Sequence, residues 1–198
     1  MVHLGRKMRT QKKLRSSRED LTERCLAAFV RAGTLDLSLD TLAKAVRTSK
    51  RMLVHYFGSR EALEEMAMSR LEDNLRARFR GGAFPAGTPL RVVVASLWQQ
   101  MTAARSRGVL LVTMDLVRRG WSGSERGRHF FEEQQRQWAE MLREFLPDPA
   151  AVETLLQLFQ GAVLVYLVTG DGERGMAALG RFLALEELRS ARKGPEVD

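Results

Sequence analysis

Lys50 and Arg51 stand side by side directly after Ser49, and His55 follows on the same short stretch. An ammonium and a guanidinium at adjacent positions can donate hydrogen bonds to guanine O6 and N7 or to phosphate oxygens. Ser49 is a residue type that caps a helix by accepting from free backbone N–H groups. A helix starting there would carry both cations in its first turn, at its exposed tip. Arg47, Thr48, Tyr56 and Arg60 flank the same stretch, and a second capping serine, Ser38, lies eleven residues upstream of Ser49.

Other chemistries find less support. Cys25 falls on an apolar stripe with no general base beside it, so it reads as a small hydrophobe. A single cysteine also rules out an internal disulfide or a cysteine-rich zinc module. His129, Glu132 and Glu133 have helical spacing that could hold a metal, but three such residues on one helix more often form a solvated face. Phosphate-cradling glycine loops of the dinucleotide or Walker kind are absent from the sequence. Hence no enzyme, no cofactor and no metal are expected.

The elements that must position the cations are helical throughout. Apolar residues recur near a 3.6-residue period, without strand-like alternation, giving an all-α fold of about nine helices. Residues 1–17 read as a flexible basic arm, followed by a first helix over 18–32 with Leu21, Cys25, Ala28 and Phe29 on one face and Gly33 at its end. Two short helices, 38–45 and 49–56, are separated by the turn Val46-Arg47-Thr48. Leu39, Leu42, Ala43, Val46 and Leu53 form their inner face. A fourth helix begins at Ser59 and ends before the glycine-containing loop at 81–87. Beyond it, helices are expected over 88–106, 109–119 (closed by Gly120), about 125–146, 149–169 and 172–192. The longest uncharged stretch, 154–170, is 17 residues and suits a core helix better than a membrane span.

Charge follows this division. The net charge of +8 comes entirely from residues 1–60, which hold 14 Lys and Arg against five Asp and Glu. A basic block followed by a near-neutral remainder suits one part facing a polyanion and another facing something else. The two short helices form a helix-turn-helix, a motif whose second helix lies in the major groove with its N-terminal residues at base edges.

Residues 18–79 resemble the DNA-binding domain of the TetR (tetracycline repressor) family of transcriptional regulators. The resemblance is carried by Phe29 and Gly33, by Ser-Leu-Asp-Thr-Leu-Ala-Lys-Ala at 38–45, by Ser49 and Leu53, and by His-Tyr-Phe-Gly-Ser-Arg-Glu-Ala-Leu at 55–63. Two positions depart from the family pattern. Arg47 stands where glycine is usual, at a cost of about 1 kcal/mol if its backbone is left-handed. Val54 replaces a tyrosine, removing one phosphate contact that Arg47 could supply.

The resemblance implies a DNA-binding domain at 18–80 and an effector-binding and dimerisation domain at 88–192. It implies DNA contacts from Ser38, Arg47, Thr48, Ser49, Lys50, Arg51, His55, Tyr56 and Arg60, with Phe57 in the core. Trp98, Met101, Met114, Phe131, Trp138 and Phe159 would line the cavity for an apolar or aromatic effector. The implied protein is cytoplasmic, a homodimer through its last two helices (Val163 and Tyr166 being candidate seam positions), and a repressor released from a near-palindromic operator by its effector. The alternative reading is a helical ligand- or partner-binding protein with a basic RNA- or membrane-binding arm. Such a protein would have no use for the ordered motif at 38–63.

Overall fold

The computed structural model describes the backbone of residues 2–81, 84, 85 and 87–193, and the side chains of 17–77, 84, 85, 87–189 and 191. Among these residues there are nine α-helices, one short 3₁₀ turn and no strand: α1 (Val2–Ala32), α2 (Leu39–Ala45), α3 (Lys50–Phe57), α4 (Arg60–Gly81), α5 (Leu90–Thr102), α6 (Arg107–Trp121), α7 (Glu125–Arg143), α8 (Pro149–Thr169) and α9 (Gly172–Lys193). The chain divides into two compact units, 1–78 and 79–198.

In the first unit, α1 starts at Val2 and not near Arg18, so residues 2–17 continue the helix where an arm was expected. Their composition allows it. Arg, Lys, Met, Gln and Leu are strong helix formers, Gly5 is the one markedly unfavourable residue before Arg18, and Val2, His3, Thr10, Ser16 and Ser17 are intermediate. The side chains of residues 1–16 lie outside the described residues. Leu21, Cys25, Leu26, Ala28 and Phe29 of α1 are buried in a core with Leu35, Leu42, Ala43, Val46, Leu53, Phe57, Leu63, Ala67, Met68 and Leu71. Burial pushes the Cys25 thiol up to about 11, so it stays protonated and inert, as a core hydrophobe does.

In the second unit α8 is the central element. It is long and apolar enough to cross a membrane by length and composition. Eight of its side chains are instead buried within the helical body, among them Leu155, Leu156, Phe159 and Val163. The helix expected over 88–106 breaks at Ala103, which is extended, and resumes as a 3₁₀ turn at Ala104–Ser106. The break is stabilised because carbonyls at the end of α5 find other donors. The Tyr166 hydroxyl donates to Thr102 O at 2.7 Å and the Ser106 hydroxyl to Gln100 O at 2.7 Å.

Gly120 does not close α6, which runs on to Trp121 and ends at left-handed Gly123. Gly120 serves a helix crossing instead. A Cβ on Gly127 of α7 would sit 2.5 Å from Gly120 N and 2.6 Å from Leu116 O, so α6 and α7 meet backbone to backbone there.

Candidate nucleic-acid interface

The geometry of α2 and α3 follows from two serine caps and one unusual turn. The Ser38 hydroxyl accepts from Thr41 N at 3.1 Å, and the Ser49 hydroxyl from Met52 N at 3.1 Å. Between the helices, Thr48 N donates to Ala43 O at 2.9 Å and Arg47 N to Lys44 O at 3.2 Å. Those two bonds are the paired closure of a helix whose next residue is left-handed, a place usually taken by glycine. Here it is Arg47, at φ 54°, the one non-glycine residue with positive φ among the described residues. The expected strain is therefore present, and the turn keeps its shape.

Two arginines hold this pair in place from outside. Arg24 of α1 donates to Val46 O at the C-cap of α2. Arg60, expected among the DNA contacts, is committed elsewhere: its guanidinium donates to Leu35 O (2.7 Å), Leu37 O (3.0 Å) and the Glu64 carboxylate (3.0 Å). It ties the start of α4 to the loop before α2, which makes it a positioning residue. Phe57 is buried as expected, with the Arg18 guanidinium 6.0 Å from its ring centroid.

The remaining candidates belong to the N-cap of α2, the turn after it, and α3. Ser38, Arg47, Ser49, Lys50, Arg51 and His55 are exposed, while Thr48 and Tyr56 are half-buried. The His55 and Tyr56 rings pack edge to face with centroids 5.3 Å apart. Lys44, Arg47 and Arg51 form no ion pair among the described residues, and Lys50 forms one, 2.9 Å to Asp40. Met52 was not singled out in sequence because its apolar character suits a core, and Val54 was noted only for lacking the family's tyrosine. Both are exposed on α3 and can meet a thymine methyl group. The signal that could have found Val54 is its position three residues after Arg51, on the same side of the helix.

The six residues expected to line an effector cavity do not share one environment. Trp98 and Phe159 are buried together with ring centroids 6.0 Å apart, and Met101, Met114 and Trp138 are partly buried against the same core. Phe131 departs from the expectation. It is 37% exposed because α7 turns Phe130 inward, leaving its neighbour outside the helical body. Sequence reading also missed two polar atoms on α7. Gln134 is only 8% exposed and its Nε2 is without a hydrogen-bond partner among the described residues, and the Oε1 of Gln137, one turn on, is likewise buried and unpaired. Val163 is buried, and Tyr166 is partly buried and bonded to Thr102, so both point into their own protomer. No group of three or more His, Cys, Asp or Glu side chains is arranged to hold a metal among the described residues.

Neither a protein-family model nor a curated protein sequence matches the chain. Solved structures do. A TetR-family transcriptional regulator from Streptomyces coelicolor aligns with a TM-score of 0.72 at 20% identity, over 90% of this chain and 83% of that one. A Rhodococcus sp. protein assigned to the TetR-family transcriptional regulators aligns with a TM-score of 0.65 at 17% identity, over 85% of this chain and 97% of that one. The chain has the TetR fold. The likeness extends past residue 79, where the sequence offered only length, helix count and an apolar penultimate helix. Against the TetR fold, α2 and α3 are the helix-turn-helix and α8 and α9 the last two helices of the body.

Proposed function

We propose that the chain is a sequence-specific DNA-binding transcriptional regulator whose body takes a small-molecule effector. The observation that carries this reading is the α2–α3 pair itself. Two short helices are capped by serines, fixed by Arg24 and Arg60, and leave Arg47, Arg51, Val54 and His55 exposed. Cations there supply attraction to phosphates, and Arg51 in the first turn of α3 is placed to donate to a guanine edge. The TetR fold shared with two transcriptional regulators supports the same reading.

The body supports the second half. An effector releases DNA only by binding the two states with different affinity. Its apolar part would pack near Trp98, Met101, Met114, Trp138 and Phe159, and a polar group on it would satisfy Gln134 Nε2 and Gln137 Oε1. We read the protein as a cytoplasmic repressor acting as a homodimer. α8 exposes Leu164, Val165 and Val168 and α9 exposes Leu185 and Leu188, apolar surface that a second copy would cover.

Selection of bound duplexes from a random-sequence pool tests the reading. A near-palindromic consensus is expected, and Arg51→Ala should cost about 1–3 kcal/mol on that consensus and much less on scrambled duplex. Removing residues 1–16, with six Lys and Arg and no acid, should weaken both duplexes alike. Failure of the wild type to enrich any sequence removes the proposal.

A further inference from the structure

Asp40 is the only acidic residue between Ser38 and Gly58, the whole span of the helix-turn-helix. The same span holds Lys44, Arg47, Lys50 and Arg51. The one carboxylate is not set apart from the reading surface. It lies in the first turn of α2, and its Oδ2 is 2.9 Å from the Nζ of Lys50, the first residue of α3. Both side chains are more than half exposed. An exposed pair of this kind contributes little to folding, since water screens it and two long side chains lose freedom in making it. The Ser38 hydroxyl already satisfies an N–H at the start of α2, so Asp40 is not needed there as a cap.

What the pair does change is how much free positive charge meets a polyanion. Lys50 is the first residue of α3, at the end of the helix that the proposed function sets against DNA, and a phosphate contact made from there would add affinity without sequence information. Among the described residues Arg51, Lys44 and Arg47 form no ion pair. We propose that Asp40 tempers DNA affinity: it competes with phosphates for Lys50, lowering affinity for any duplex while Arg51 and Val54 read sequence. This rests on the DNA-binding function proposed above and assigns a role to a residue that itself donates nothing to DNA. Asp40 would act by competition. Each protomer would then present one cation fewer to any duplex than its residue count suggests.

The test is a double-mutant cycle with Asp40→Asn, Lys50→Met and the two combined, on the selected consensus and on a scrambled duplex across a salt series. Asn keeps the size of Asp and removes its charge. One added phosphate contact steepens the logarithmic salt dependence by about 0.9 per protomer. D40N should therefore tighten scrambled duplex and consensus alike, by up to about five-fold per protomer, the most that an exposed ion pair withholds, and leave discrimination unchanged. In the K50M background D40N should do almost nothing. Thermal unfolding of each variant checks that the fold is intact.

No change on either duplex, or tightening of one duplex without the other, overturns this role. An effect of D40N that persists without Lys50 also overturns it, because the carboxylate would then act by repelling DNA directly. A wild-type chain that selects no consensus is a different failure. It removes the DNA-reading function and this inference with it.

Discussion

The indole of Trp98 lies close against Gly175: a Cβ at that glycine would be 2.4 Å from Trp98 Cζ2 and 2.5 Å from Cη2. Trp98 Nε1 donates to Gly172 O at 3.1 Å, so one side chain joins α5 to the first turn of α9 by packing and by a hydrogen bond. Glycine inside a helix normally costs about 0.5–1 kcal/mol relative to alanine. Here the sign should reverse. Gly175→Ala should destabilise the protein by about 1–3 kcal/mol through overpacking, read as a lower denaturant midpoint. A stabilised Gly175→Ala variant would show that Trp98 can move aside.

Arg47 offers the opposite case. Its left-handed backbone costs about 1 kcal/mol that glycine does not incur. Arg47→Gly should raise stability by roughly 0.5–1 kcal/mol, and Arg47→Ala should not, because alanine keeps the strain. On DNA, both substitutions should reduce the salt dependence by about one counterion per protomer if Arg47 contacts a phosphate. Identical stability of the Gly and Ala variants would mean that the turn has relaxed to a different shape.

These cases mark what was legible in the sequence. Helix starts were readable because Ser38, Ser49 and Asp148 are local signals whose side chains cap the N–H groups immediately ahead of them. The strain at Arg47 was readable from one residue standing where glycine fits. Long-range use of a side chain was not. Nothing near Arg60 in sequence says that Leu35 O and Leu37 O will be its acceptors, 25 and 23 residues away. Gly120 read as a helix stop because glycine's conformational freedom is a local property, whereas its closeness to Gly127 depends on how α6 and α7 cross. Phe130 and Phe131 are neighbours of the same type, and only the rotation of α7 decides which is buried.

Gln134 sets up a prediction about the body. A buried amide N–H without a partner costs about 1–3 kcal/mol, and replacement by an apolar group of similar shape can recover it. Gln134→Leu should therefore raise the melting temperature of the ligand-free protein. The same variant should lose thermal shifts from ligands with a hydrogen-bonding group and keep those from purely apolar ones. A fall in melting temperature would indicate that a trapped water already satisfies the amide.

The surface of α8 gives the sharpest division between two neighbouring residues. Val163 is 3% exposed and Leu164 is 55% exposed, and Val168, one turn on from Leu164, is 78% exposed. If a second copy covers α8, a charge at Leu164 or Val168 is buried unpaired only in the dimer, whereas a charge at Val163 is buried unpaired in the protomer itself. Leu164→Glu with Val168→Glu should give a folded monomer by sedimentation, with an unchanged helical circular dichroism signal, since glutamate is a good helix former. Val163→Glu should instead unfold the body or abolish its expression as soluble protein. The monomeric double variant should also bind the palindromic consensus no better than a half-site, because each head would then dock alone. A double variant that still sediments as a dimer would place the contact between copies away from this stripe.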